Sequence, residues 1–304
     1  MAAPKSLQDT ISRDLWRSHS YSPQSISPPT RSSPMAISHA LLSHTNTLLP
    51  FSTATSILDI ACGPGTVFST LFTSPIPLAP TASLLATDIS PGMVAQIHAR
   101  QSQPSADTAT TWARVHAFEA DATSLPTVPD GSQSHVLSQM GIFLIPDSAL
   151  ALAEVRRVMR KSPPPSSSSS PSPATSPASV FGMTTVASAT WNSDVVGLIE
   201  EIYPSRRLPV MPPHWRDKRL MKSYLEGQGF KEVEVHEEEM KMGFDSPEGV
   251  VGMLWRNLPY IKGMIEGLDG GEVEGLKRKM VERVRERFPG GEMPGMALVA
   301  TARV

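Results

Sequence analysis

The chain has 304 residues, of which 40% are hydrophobic and 18% charged, and its formal net charge is −2. This length and apolar content can build one large domain or two small ones around a sizeable core. The absence of a basic stripe in the sequence disfavours nucleic acid as the main partner, since phosphate contacts need clustered Lys and Arg. The single cysteine, Cys62, cannot form an internal disulfide, so we expect a reducing, cytoplasmic setting. No apolar run approaches the roughly 18 residues that a membrane span needs.

The N-terminal segment, residues 1–34, is rich in serine and proline. We expect it to be loosely structured, apart from a short helix around Leu7 to Trp16. Residues 35–49 follow as a predicted helix. They lead into the first predicted strand, so we place the start of the main domain at residue 35.

The most informative stretch is this first strand and the turn after it. An apolar run, Ser56 to Ile60, contains Asp59 and then breaks into a turn with Gly63 and Gly65. These glycines lack a Cβ, so the backbone can bend sharply and approach a ligand closely. The amides beyond the turn begin a helix and point at the ligand. The pattern predicts a site for a nucleoside-bearing cofactor.

The spacing around this turn distinguishes between such cofactors. A dinucleotide fingerprint places a third glycine in G-x-G-x-x-G, and that position is Phe68 here. Asp59 would repel a phosphate but attract an ammonium group. Asp88, after the second predicted strand (83–87), can accept both hydroxyls of a ribose. The residues therefore favour a nucleoside with an ammonium group over a pyrophosphate.

Strands and helices alternate along the rest of the chain. Beyond the second strand we predict strands over 114–119, 135–143, 180–186, 231–242 and 297–304. Two helices are predicted to begin after the capping residues Ser90 and Asp147. Further helices are predicted over residues 191–203, 217–226 and 246–258. An apolar stripe from Val273 to Phe288 predicts a last helix. The helix after Asp147 is expected to bury Leu150, Val155, Val158 and Met159. Residues 162–179 are low in complexity and predict a surface insertion. This alternation implies a parallel sheet with helices on both faces.

Four elements in this order resemble the class I S-adenosylmethionine-dependent methyltransferases. Asp59 to Gly65 matches their motif I, an acid followed by a Gly-x-Gly turn, and Asp88 matches the acid that binds the ribose. Phe118 to Ala122 matches the segment whose acid and following amide hold the adenine. Residues 147–161 resemble a helix of the ubiquinone/menaquinone-methyltransferase-like branch, although the Pro-Gly-Gly turn usual there is missing. The resemblance covers about residues 50 to 190 well.

The resemblance implies a fold, a cofactor and a set of site residues. The fold is a Rossmann-like, doubly wound seven-stranded α/β sheet, mostly parallel, with an antiparallel last strand between strands five and six. Residues 35–304 would form the methyltransferase domain, with added cap helices at about 245–290, and residues 1–34 a loose segment or a lid over the cofactor with Trp16, His19 and Tyr21. The cofactor would be S-adenosylmethionine. The implied cofactor-binding residues are Asp59, Ala61, Gly63, Gly65, Asp88, Ile89, Met93, Asp121, Ala122 and Ser138.

Several of these residues also have simpler interpretations. Asp88 can cap the helix that begins after Ser90, and Asp121 can form a turn. Cys62 is tempting as a nucleophile, but it can be a small residue that fits the turn. No His, Cys and Asp spacing matches a zinc or di-metal site, so we predict no metal.

Methyl transfer is an in-line displacement that needs orientation above all, and a base only where the acceptor loses a proton. His214, in the proline-rich loop 205–215, is the first candidate base, ahead of His19 and His135. Each of them can instead be a surface or structural histidine. Nine of the 15 methionines follow residue 200, which suits either an adaptable apolar pocket or an ordinary core.

These observations predict an enzyme that methylates an oxygen, nitrogen, sulfur or carbon atom of a small organic molecule, in specialised metabolism. Two alternatives stay open, a non-catalytic S-adenosylmethionine-binding regulatory protein and an NAD(P)-dependent oxidoreductase. The sequence leaves the acceptor and the oligomeric state open.

Overall fold

The computed structural model describes residues 6–10, 12–18, 33–102, 109–161 and 179–304. It contains seven strands, β1 (Ser56–Ile60), β2 (Ser83–Asp88), β3 (Val115–Glu119), β4 (His135–Gln139), β5 (Val180–Ala189), β6 (Lys231–Gly243) and β7 (Glu292–Arg303). They form one sheet in the order β3-β2-β1-β4-β5-β7-β6. β7 lies antiparallel between β5 and β6, and the other six strands are parallel to one another. The predicted Rossmann-like sheet is thereby confirmed.

Helices connect these strands. They are α1 (Leu7–Thr10), α2 (Arg13–Ser18), α3 (Ser33–Leu48), α4 (Thr66–Thr73), α5 (Pro91–Gln101), α6 (Ala109–Trp112), α7 (Ser148–Val158), α8 (Leu198–Ile202), α9 (Lys218–Gly227), α10 (Pro247–Asn257), α11 (Pro259–Met264) and α12 (Gly270–Arg287). A π-helix, Trp191–Val196, precedes α8. Short 3₁₀ turns cover Phe51–Thr53, Ile142–Leu144 and Pro213–Trp215. The helices α10 to α12 lie between β6 and β7, where added helices were predicted.

Each face of the sheet has its own apolar cluster. Successive side chains of a strand point to opposite faces. Accordingly, Ile57 of β1 packs with α3, α4 and α5, whereas Leu58 packs in the larger cluster that includes α7, α9 and α10 to α12. All five residues of β1 are buried. A strand covered on both faces is mainly apolar, which explains Ile57, Leu58 and Ile60, and Asp59 is a buried polar exception.

Local sequence fixes where several helices begin. The Ser90 side chain accepts a hydrogen bond from the Met93 amide and Pro91 is the first residue of α5, as predicted. Ser246 caps α10 in the same way. Asp269 and Glu272 form a reciprocal capping box at the start of α12.

Some predicted boundaries were wrong for identifiable reasons. β4 ends at Gln139 rather than residue 143, because Met140 takes a left-handed φ of 53° that a strand does not tolerate. β7 begins at Glu292, five residues earlier than predicted, because it pairs with β6 as far as Gly243. Leu150 is 54% exposed and is not part of the core. The N-terminal helix is two short helices, α1 and α2.

Some predictions fall on residues that lie outside the described ones. They concern His19 and Tyr21 in the N-terminal segment, and residues 162–178 of the predicted insertion. Among the described helices, none combines the length and the apolar character needed to cross a membrane.

Candidate active site

A cavity of about 770 Å³ opens where the carboxyl ends of the parallel strands meet. Its walls are formed by the residues that follow β1, β2, β3 and β4, by the end of β5, and by parts of β6, α10 and α11. Ligands of wound α/β sheets bind at this edge. The volume lies in the upper part of the range of about 300–1,000 Å³ that is typical of small-molecule sites.

The cavity has two chemically different ends. On the β3-β2-β1 side it is lined by Asp59, Asp88 and Asp121, and we call this the acidic end. The other side, next to β5, β7 and β6, is the apolar end. It is lined by Trp191, Leu208, Met211, Met240, Met242, Met253, Leu254 and Leu258.

The turn after β1 has an unusual backbone that shapes the acidic end. Ala61, Gly63 and Gly65 all have left-handed φ values, of 52°, 54° and 83°. A Cβ on Gly65 would lie 2.9 Å from the ring of Trp112, so a larger residue does not fit there. The Cys62 amide donates to the Thr87 carbonyl at 3.0 Å, which joins the turn to the end of β2. The loop is thereby held in a fixed shape before any ligand arrives.

The carboxylate of Asp59 is buried and lacks hydrogen-bond partners among the described residues. Its exposed fraction is 0%, and neither carboxylate oxygen has a partner among the described residues. Burial raises the pKa of its carboxyl well above the ordinary value, and the negative charge of Asp88 raises it further. Leaving such a group without a partner is costly. A ligand that brings a cationic donor would satisfy it, and an ammonium group is such a donor.

Asp88 organises the turn as well as facing the cavity. Its two oxygens accept hydrogen bonds from the amides of Gly63, at 2.8 Å, and Ser90, at 2.9 Å. Burial raises the pKa of its carboxyl, and these amide bonds oppose the rise. A carboxylate has about four acceptor positions, so capacity is left for a ribose. Asp88 therefore fixes the Ser90 amide just before α5 but is not the cap of that helix, which is Ser90, and its ligand role stays a prediction.

Asp121 follows β3 and combines turn formation with an ion pair. Its Oδ1 accepts from the amide and the hydroxyl of Thr123, at 2.9 and 2.8 Å. Its Oδ2 lies 3.2 Å from Arg13 of α2, and the same guanidinium contacts Asp147 at 2.9 Å. Leu7 and Trp16 line the cavity beside Arg13. The N-terminal helices therefore contact the mouth of the acidic end.

Most of the predicted cofactor-binding residues come together at this cavity. Eight of the ten line it, namely Asp59, Ala61, Gly63, Asp88, Ile89, Met93, Asp121 and Ala122. Gly65 and Ser138 do not line it. Gly65 shapes the turn, and the Ser138 hydroxyl is buried without a partner among the described residues, next to Gly141. The binding role of all ten stays a prediction.

Two of the three candidate bases, His214 and His135, do not line the cavity, and His19 lies outside the described residues. The half-buried ring of His214 stacks on Tyr224 at 4.1 Å between ring centres. Burial lowers the pKa of His214. A general base has to come within hydrogen-bond reach of the proton it removes, and the role of His214 as a base stays a prediction. His135 is buried in β4 beside the Leu49 carbonyl, 3.0 Å away, and burial lowers its pKa to about 4.

Sequence reasoning missed the polar residues of the apolar end, Asn192, Asn257 and Tyr260. They come from three separate helices, and no motif connects them in the sequence. The methionine enrichment after residue 200 was a usable signal. Met211, Met240, Met242 and Met253 line the cavity, whereas Met221, Met264, Met280 and Met293 are core residues, so both interpretations hold in part.

The acidic end fits a nucleoside that carries an ammonium group. Asp59 supplies an unsatisfied carboxylate, Asp88 retains acceptor capacity, and Gly63 brings its backbone to the cavity without a side chain. Over the parts of the chain that the structure describes, no cluster of three or more His, Cys, Asp or Glu side chains could hold a metal ion.

Comparisons with known proteins agree with this geometry. A family model described as a methyltransferase domain matches residues 57–162. The "Methyltransferase ucsB" of Acremonium sp is 28% identical over 259 residues, which are 84% of this chain and 83% of that relative. Two solved structures share the fold, each with a TM-score of 0.50. They are the YcgJ protein of Bacillus subtilis, 15% identical over 87% of this chain and 97% of that one, and the MccD protein, 16% identical over 90% and 100%.

Proposed function

We propose, from the premise that the chain is a class I S-adenosylmethionine-dependent methyltransferase, that it methylates a small and largely apolar organic molecule bound at the apolar end of the cavity. The observation that carries the proposal is one continuous cavity with three aspartates on one side and mainly apolar side chains on the other. A polar cofactor and an apolar acceptor can then meet inside one enclosed site.

The acidic end would hold S-adenosylmethionine, the cofactor of this enzyme class. Asp59 would pair with the ammonium group and Asp88 with the ribose hydroxyls. Asp121 and the amide of Ala122 would hold the adenine, as the family resemblance implies. When bound, the cofactor supplies a methyl group that its sulfonium already activates.

The chain's own contribution to the reaction would be orientation and the exclusion of water. Holding donor and acceptor in line can contribute roughly 7–11 kcal/mol to lowering the barrier. The apolar side chains that surround the acceptor would keep water away from the reacting atoms. Among the described residues that line the cavity none is a histidine. The acceptor atom, whether oxygen, nitrogen, sulfur or carbon, stays open.

The N-terminal helices would act as a lid over the acidic end. The Gln8 amide group donates to the Ile145 carbonyl at 3.2 Å, and the Leu7 amide donates to the Val210 carbonyl at 2.9 Å. Together with the ion pairs of Arg13, these contacts attach the segment to the cavity mouth from both sides. The lid role supports a small acceptor that is enclosed rather than a macromolecular one.

A small acceptor also fits the charge of the chain. A net charge of −2 does not favour nucleic acid as the acceptor. We place the reaction in specialised metabolism and in the cytoplasm, and both stay predictions. The free, buried thiol of Cys62 is consistent with a reducing compartment.

Incubation of the purified protein with cell extract and methyl-labelled S-adenosylmethionine tests the proposal. We expect the label to appear in an organic-soluble metabolite. Label in protein or nucleic acid would contradict a small acceptor. Retention of the cofactor without turnover would instead indicate a regulatory binding protein. Calorimetry with NADPH serves as the control, and we expect no binding.

A further inference from the structure

Three of the polar side chains at the apolar end of the cavity are neutral and come from three different helices. Asn192 belongs to the π-helix Trp191–Val196, Asn257 is the last residue of α10, and Tyr260 is the second residue of α11. All three line the cavity. Polar groups in a mainly apolar pocket are the ones that fix the orientation of a ligand.

Tyr260 carries a neutral phenol whose hydroxyl proton is already engaged in a hydrogen bond. It is 7% exposed, and its hydroxyl donates to the Oδ1 of Asn192. Burial raises the pKa of the phenol well above its ordinary value, so the group stays protonated at neutral pH. A hydroxyl that has donated its proton still has lone pairs with which to accept. Toward a ligand, Tyr260 is therefore available as an acceptor.

Asn257 offers a second acceptor. Its Oδ1 is buried and has no hydrogen-bond partner among the described residues. Buried polar atoms without a partner are rare in folded proteins, and each calls for an explanation such as an absent ligand. The side chain lines the cavity three residues before Tyr260. Asn257 and Tyr260, three positions apart in the sequence, therefore both offer a hydrogen-bond acceptor and not a donor.

The backbone beside this pair is specialised. A Cβ on Gly197 would lie 2.1 Å from the Ser193 carbonyl oxygen, so the π-helix depends on glycine at this position. The wider π-turn places Trp191, Asn192 and Ser193 on the cavity wall. Such turns are rare and occur frequently at functional sites.

The charged residues nearby do not change the character of this pair. Glu200 lines the cavity, but its carboxylate is engaged by Arg207 and by the Leu208 amide, the latter at 2.9 Å. Arg216 also lines the cavity and is exposed to solvent. The buried polar groups that await a ligand at the apolar end are therefore neutral acceptors.

We propose that Asn257 and Tyr260 bind the methyl acceptor through a neutral hydroxyl or N–H group that the acceptor donates to them. This inference rests on the proposed function and narrows it to one substrate class, an apolar molecule that carries such a donor. The pair fixes how the apolar body lies in the cavity. An analogue that is equally apolar but lacks the donor leaves both acceptors unsatisfied and binds less tightly.

Two probes of similar shape test this proposal on the protein saturated with S-adenosylhomocysteine. 2-Naphthol has a hydroxyl donor, and 2-methoxynaphthalene has the same apolar body without one. We expect the wild type to bind 2-naphthol about five- to tenfold more tightly. The ratio of the two affinities should fall to about one in the variants Asn257→Leu and Tyr260→Phe. The wild-type preference should be kept in Asn257→Asp, which retains acceptor oxygens at the same place.

Tyr203→Phe is the matched control, because it removes a tyrosine hydroxyl that does not line the cavity. It should keep the wild-type preference. The proposal is overturned if the wild type binds both probes equally or binds neither, or if the preference survives in Asn257→Leu. Loading with S-adenosylhomocysteine is measured first by calorimetry. Failure at that step would refute the proposed function rather than the role of this pair.

Discussion

The two ends of the cavity are built in different ways. The acidic end comes from one continuous part of the chain, within residues 57–122, and consists of backbone turns and carboxylates. The apolar end collects side chains from the end of β5, from β6, and from helices that are distant in sequence. The matched family model, residues 57–162, includes the acidic end and stops before the apolar one. A cofactor site of fixed chemistry can be recognised from a motif, whereas an acceptor site depends on how distant segments pack.

The largest expected effect comes from the turn that defines the acidic end. Gly65→Val should reduce the free energy of unfolding by about 3–5 kcal/mol, because the residue needs a left-handed φ and its Cβ meets Trp112. Binding of S-adenosylhomocysteine should fall below detection. Denaturant unfolding and calorimetry measure both quantities.

Gly267→Val is the matched control for this variant. Gly267 has a similar φ of 78°, but nothing lies within 4 Å of the Cβ position. It should incur only the backbone penalty, of about 1–2 kcal/mol, and bind the cofactor product normally. Equal losses in the two variants would show that the contact with Trp112 does not matter.

Asp88→Ala should weaken the binding of S-adenosylhomocysteine by about 1.5–3 kcal/mol, because a charged acceptor is lost. The amides of Gly63 and Ser90 also lose their partner. Calorimetry measures the change. Asp130→Ala removes an exposed carboxylate that pairs with Arg157 and should leave the affinity unaltered. An unchanged affinity in Asp88→Ala would remove Asp88 from the site.

Asp59 links ligand binding to pH-dependent stability. Its pKa in the folded state lies above the ordinary value of 3.8. The neutral form therefore contributes stability at low pH, and this contribution is lost as the pH rises through the folded-state pKa. In the ligand-free protein, Asp59→Asn should then be more stable than the wild type at neutral pH, by about 1–3 kcal/mol.

Urea unfolding of both forms between about pH 4 and pH 8 tests this linkage. The advantage of Asp59→Asn should grow with pH, while its affinity for S-adenosylmethionine should be lower than that of the wild type. A wild type that is the more stable form throughout this range would show that the Asp59 carboxylate has a partner in the ligand-free protein.

The smallest expected effect comes from a variant at the apolar end, and it tests whether the two ends of the cavity bind their ligands independently. Met253→Ala removes apolar contact at the apolar end and should raise the KM of the acceptor found by labelling, at a loss of about 1–2 kcal/mol. The affinity for S-adenosylhomocysteine should stay within about 0.5 kcal/mol of the wild type. Met280→Ala, in the core and away from the cavity, should reduce stability and leave that KM unaltered. A large change in cofactor affinity in Met253→Ala would show that the ends are coupled.

The same division limits what the sequence could predict. β1 and α5 have the predicted bounds, because a buried apolar run and a Ser-Pro start are local signals. The antiparallel last strand between strands five and six followed from the family resemblance. Asp59, Gly63 and Asp88 were found because short spacing determines where they meet. His214 lies outside the cavity lining, and Asn257 and Tyr260 were not predicted, because only tertiary packing decides which side chains of distant loops and helices reach a cavity.

The position of β7 has a consequence for how the chain folds during synthesis. β6 is an edge strand whose one neighbour in the sheet is β7, and β7 is translated after it. Until β7 emerges from the ribosome, β6 has no place in the sheet and the edge of β5 is open. Edge strands avoid pairing with other molecules by carrying charges. The run Glu237, Glu238 and Glu239 gives β6 such charges, and it would protect the nascent chain from aggregation during this interval.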